Sequence, residues 1–140
     1  MLAKYLACMS VIAVTLALTL AFPLVLALFG EPDWGPVYSG YLGLLLLGSA
    51  LCSIGLTISA LTTNQVVAAV VSLGLFGLLW AIDGMNNVVA GALENWMLGL
   101  SLLGRFTPFA IGSLYLSDAG FFVAVTLLSL FLCVRALARR

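Results

Sequence analysis

The chain has 140 residues, 64% of them hydrophobic and only 7% charged, and its five basic and five acidic residues cancel to a formal net charge of zero. Soluble domains carry about 25% charged residues, so a water-exposed globular surface is excluded, and without a basic surplus so is a nucleic-acid footprint. A mean hydropathy of +1.28 points instead to a single membrane domain over residues 1–140, with the lipid bilayer as its first partner.

Taken in chain order, the first element is an apolar run over residues 5–29 behind Lys4. A secretory signal core is only about 7–15 residues long, so this run reads as a retained membrane span. Pro23 falls in its final third, where neighbouring helices can satisfy the carbonyl that a proline leaves unpaired. The turn GEPDWGP, residues 30–36, is acidic and carries an interfacial tryptophan, Trp34. A second span follows at 37–61, then the four polar residues Thr62, Thr63, Asn64 and Gln65, then a third span at 66–82. No charged residue occurs between Tyr38 and Ile82, and the apolar residues run all the way round both helices. Water cannot accept such helices, whereas lipid can, because each helix pairs its own backbone groups. In the TTNQ turn, Thr62 is placed to cap the third span, with Gln65 reaching back to it.

Residues 84–117 break the pattern. Leu93, Trp96, Met97, Leu100 and Leu103 recur at helical spacing, but Asn86, Asn87, Glu94, Asn95, Arg105 and Pro108 interrupt any clean span. The segment therefore reads as a re-entrant or interfacial helical segment. The fourth span is 121–137. The fold class that follows is an all-α integral membrane protein, with four transmembrane helices and a re-entrant segment before the last.

Lys4, Arg135, Arg139 and Arg140 lie at one side of these spans, and Glu31, Asp33, Asp83 and Asp118 at the other. Basic residues mark the cytoplasmic side. Both termini are therefore expected in the cytoplasm, in a multi-pass membrane protein.

Within the second span Gly48, Cys52, Gly55 and Ser59 recur at intervals of four, three and four, which predicts a helix-packing seam with no room for a larger side chain at Gly55. Cys8, Cys52 and Cys133 are odd in number and lie in apolar stretches, so they read as small packing residues rather than a disulfide framework. The chain has no histidine, which removes HExxH metal sites and histidine acid–base pairs. There is no phosphate-binding glycine loop, and no catalytic, cofactor or metal site is expected. No ionisable residue lies in mid-span, which disfavours proton coupling. Energy for any active transport would then come from a partner ATPase, with sodium coupling through hydroxyl and carbonyl oxygens left open.

The stretch PDWGPVYSGYLGLLLLGSALCSIGLTISALTTNQVVAAVV resembles the permeases of type-2 ABC exporters, in the gliding-motility-type subgroup. The Asp-x-Gly turn, the GYLGLLLLG opening and the Ser-x-Leu-Thr-x-Asn-Gln-x-x-Ala-Ala hinge carry the likeness. The end, LGRFTPFAIGSLYLSDAGFFVAVTLLSLFLCVRALARR, is similar to that family's last span and basic tail. The resemblance implies a six-span permease of which these are the third to sixth spans, so that the chain looks like its C-terminal portion. It implies re-entrant helices on the outer side between the last two spans. It also implies as partners a cytoplasmic ABC ATPase subunit and a second permease copy or the missing N-terminal half. The family's interfacial helix, first two spans and main ATPase-contacting loop have no counterpart before Met1. An acidic residue often stands in the family where this chain has Thr63. Thr62, Thr63, Asn64 and Gln65 are accordingly the expected cytoplasmic hinge, on a non-catalytic subunit.

Two other functions fit the same composition. A small ATP-independent homodimeric transporter would need a working carboxylate within a span, and none is present. A non-transporting membrane scaffold subunit would be marked by a gene neighbourhood without an ATPase.

Overall fold

The computed structural model describes residues 2–85, 88, 91, 95, 96, 99 and 101–139. Six helices account for most of them: α1 Leu2–Thr19, α2 Ala21–Phe29, α3 Trp34–Leu61, α4 Gln65–Met85, α5 Leu102–Ile111 and α6 Leu116–Ala138. The described residues form no strand. Taken together, α1 and α2 make one run, and that run, α3, α4 and α6 are each long and apolar enough to cross a membrane. The chain is an all-α, multi-pass membrane protein.

Each helix boundary has a local cause. The break at Leu20 lies one turn before Pro23, which has no N–H to give to the carbonyl of Thr19. The helical ladder still bridges it, with Leu20 N–H donating to Leu16 O and Leu24 N–H to Leu20 O. The hydroxyls of Thr15 and Thr19 bond back to Val11 O and Thr15 O at 2.8 Å, so α1 shows lipid no unpaired hydroxyl at those positions. Asp33 caps α3 by accepting from Gly35 N–H at 3.2 Å. Pro36 sits in the first turn, where its missing donor has no helical partner anyway. Helix α6 carries Asp118 in its first turn and Arg135 in its last, each opposite in sign to the dipole end it occupies.

The helices run a little beyond the predicted spans, because the capping residues lie in the polar turns rather than at the first apolar residue. The difference is largest for α6, which starts at Leu116 instead of 121. The segment expected at 84–117 contributes the end of α4, all of α5 and the start of α6. Much of its middle lies outside the described residues, including most of the expected face of Leu93, Met97 and Leu100; Trp96 is exposed.

Helix α3 is the centre of the molecule, packed by α1, α4, α5 and α6. Its buried positions Ser39, Gly43, Ala50, Ser53 and Ala60, with Leu46 and Thr57 between, repeat at alternating intervals of four and three. That is the spacing of a seam between nearly parallel helices. Along it Ser49 Oγ and Thr126 Oγ1 lie 3.3 Å apart, and Thr57 Oγ1 donates to Ser129 O at 2.8 Å. Such interhelical hydrogen bonds contribute about 0.6 kcal/mol each in lipid. These pairings advance together along both chains, so α3 and α6 run in the same direction. The intervening α4 runs back.

The apolar core joins α3, α5 and α6. Ala50, Phe109 and Phe122 are completely buried and Leu102 nearly so. The rings of Phe109 and Phe122 sit 6.4 Å apart in a tilted pair.

One expectation is overturned. Cys8 and Cys52 are joined as a disulfide between α1 and α3, with Cα atoms 6.7 Å apart, and Cys133 is a buried thiol outside that bond. An odd count hid the pair, because apolar flanks describe a packing cysteine and a bonded one equally well.

Candidate functional site

The two ends of the bundle differ in charge. Lys4, Arg135 and Arg139 gather where α3 ends and α4 begins, whereas Glu31, Asp33, Asp83 and Asp118 lie at the end where α3 begins. Among the described residues, Arg105 is the one basic residue at the acidic end.

At the first end Thr62, Thr63, Asn64 and Gln65 lie together at the junction of α3 and α4, but their roles differ from the expected capping. Thr62 closes α3 rather than opening α4: its Oγ1 donates to Ile58 O at 2.9 Å, and its backbone is extended. Asn64 takes the capping position, its Oδ1 accepting Val66 N–H at 3.0 Å. The reason is position, since Asn64 directly precedes the first helical residue, Gln65. Thr63, Asn64 and Gln65 are exposed, and with Thr62, Ser59 and Lys4 they line a polar recess of about 370 Å³.

Gly48, Cys52, Gly55 and Ser59 lie on a different face of α3 from the α6 seam, turned towards α1 and α4. A Cβ on Gly48 would stand 3.0 Å from Ile12 Cδ1, and Cys52 is bonded to Cys8. Gly55 has only Phe76 Cζ near it, at 4.0 Å, so there is room there for a larger side chain. Ser59 is exposed.

At the acidic end, α5 falls within the segment expected to be re-entrant or interfacial, but its docking contacts are ones that sequence reading missed. Ser101 caps the helix by accepting Gly104 N–H at 2.9 Å, and its hydroxyl also bonds Asp83 Oδ1, tying α5 to the end of α4. From there α5 rises along α3. Phe109 O accepts from Ser39 Oγ at 2.5 Å, and Phe109 packs against Gly43. The helix ends at Gly112, whose φ of 95° is the left-handed cap conformation, and a Cβ there would meet Pro36 at 3.3 Å. Thus α5 begins beside the last turn of α4, finishes on the first turn of α3, and never reaches the other end.

Arg105 and Asp118 connect α5 to α6, with Nη1 to Oδ1 at 3.3 Å and side-chain exposures of 28% and 16%. The guanidinium carbon also lies 4.1 Å from the centre of the Phe121 ring. The sequence held a signal for this pair. A lone arginine in an apolar, acidic-ended segment needs a counter-charge, and Asp118 begins the next helix.

Chemically, the arrangement holds helices together through hydrogen bonds, a disulfide and an ion pair. Among the described residues no three cysteine or carboxylate side chains gather as metal ligands. Comparison with known protein families, with curated proteins and with solved structures finds no match.

Proposed function

We propose that the chain is a membrane-spanning permease subunit of a bacterial ATP-driven type-2 ABC exporter, its four spans corresponding to the third to sixth of that family. Both termini and the Thr62–Gln65 turn face the cytoplasm, in the inner membrane, and the Trp34 end faces outwards. A separate cytoplasmic ATPase hydrolyses the nucleotide, and substrate passes along a largely apolar path as the packed helices rearrange. One observation carries the reading. Helix α5, ten residues long, returns to the first turn of α3 without crossing, between the last two spans, where the resemblance implies an outer re-entrant gate.

Co-purification tests the proposal. The tagged chain is expressed with the neighbouring ATPase, recognised by its G-x-x-x-x-G-K-[ST] loop, with and without a segment supplying the family's first two spans and contact loop. The chain alone is expected to insert but to recover little ATPase, and the pair to recover it in stable proportion. Recovery in neither case would refute the proposal.

A further inference from the structure

The hinge recess and the small-residue stripe of α3 form one amphiphilic groove. Helices α1 and α4 flank α3, and the gap between them holds about 400 Å³. Gly48, Cys52 and Gly55 form its floor, and Cys8, Ile12 and Phe76 its walls; among the described residues no charged, hydroxyl or amide side chain lines it. One turn further along the same faces the lining becomes polar. Lys4 stands four residues before Cys8 on α1, Ser59 four residues after Gly55 on α3, and Gln65 opens the helix that carries Phe76. Four residues of helix are about 6 Å, so the apolar slot and the polar recess are successive parts of one channel along α3.

The contents of the recess select the ligand. Among the described residues Lys4 is its one charged residue, no acidic side chain lines it, and Lys4 makes no ion pair. The amides of Asn64 and Gln65 and the hydroxyls of Ser59 and Thr63 add hydrogen-bond donors. The slot is also too small for another helix. At about 400 Å³ it has the volume of a small-molecule pocket, whereas a helix with its side chains is about 10–12 Å across.

We propose that this groove binds an acidic phospholipid of the leaflet beside the Thr62–Gln65 turn, its phosphate at Lys4, Asn64 and Gln65 and one acyl chain over Gly48, Cys52 and Gly55. The proposal is independent of the permease reading.

The full chain in phosphatidylcholine vesicles, with traces of spin-labelled phosphatidylglycerol or phosphatidylcholine, provides the test by electron paramagnetic resonance. Immobilised label should favour phosphatidylglycerol. Lys4→Gln should lower that preference about fivefold, Lys4→Arg should keep it, and Arg139→Gln, outside the groove, should change it less than Lys4→Gln does. A Cβ at Gly55 meets only Phe76 Cζ, at 4.0 Å, so Gly55→Leu should leave the helicity intact, yet it should reduce immobilisation of both lipids by filling the slot. Inorganic phosphate should not displace the label. An unchanged preference in Lys4→Gln, or unchanged immobilisation in a folded Gly55→Leu, would overturn the proposal. So would displacement by inorganic phosphate, which would make the site one for a free anion. Loss of a protein partner from Gly55→Leu with lipid binding intact would make the occupant a helix and would overturn it too.

Discussion

Replacing Gly43 with alanine is expected to lift α5 off α3. The new Cβ would stand 2.7 Å from Phe109 Cβ and 2.9 Å from its Cγ, with Phe106 Cε2 at 3.0 Å. Phe109 has nowhere to retreat, because it is fully buried, its carbonyl is held by Ser39, and its ring abuts Phe122. Overpacking of this kind costs about 1–3 kcal/mol, concentrated on a helix of ten residues. Limited trypsin digestion in mild detergent reads the result directly, since Arg105 is the only lysine or arginine between Lys4 and Arg135. Gly43→Ala should open that internal cut and lower the melting temperature. Gly77→Ala, with nothing near its Cβ, should do neither. Equal protection of Arg105 in both variants would mean that α5 does not rest on Gly43.

Breaking the Arg105–Asp118 pair should have an effect of similar size and a distinctive pattern. Removing one partner strands the other charge in a partly apolar place. The cost for fully buried pairs is about 3–5 kcal/mol. Exposures of 28% and 16% bring screening by water, so about 1–3 kcal/mol is expected here. Arg105→Gln and Asp118→Asn should each lower the melting temperature, with Arg105→Gln also losing the contact over Phe121. The double variant Arg105→Met, Asp118→Leu should recover much of the loss, because an apolar pair leaves no charge behind. A double variant as unstable as the sum of the singles would mean that the two residues act separately.

The spans were legible because two properties act together: lengths sufficient to cross a bilayer and apolar residues on every side. The packing was only half legible. Helix α3 carries two interleaved sets of small residues, one through Gly43, Ala50 and Ser53 and one through Gly48, Cys52 and Gly55. Spacing pointed only to the second, and as a packing seam; tertiary structure makes the first the buried seam and leaves the second as an open groove. Ser49, Ser53 and Thr57 gave no signal, since a helical hydroxyl bonds its own preceding turn whether or not it also bonds a neighbour. The Thr62–Gln65 turn was found by polarity alone. Which of Thr62 and Asn64 caps α4 depends on a backbone turn that two similar side chains cannot specify. The docking of α5 was hidden because Ser39 and Phe109 lie 70 positions apart.

Energy coupling at the end of the bundle proposed to face outwards separates an ATP-driven permease from a proton-driven transporter without knowledge of the cargo. Ser117 is exposed near the start of α6, while Cys8 and Cys52 are bonded to each other and Cys133 is buried. A Ser117→Cys variant therefore carries the one thiol open to an impermeant maleimide. In vesicles holding the complex of this chain, the segment supplying the first two spans and the ATPase, its labelling rate from the outer side should change on addition of ATP. It should stay fixed when the ATPase phosphate-loop lysine is replaced, and it should ignore collapse of the proton gradient. A rate that follows the proton gradient and not ATP would contradict the permease assignment.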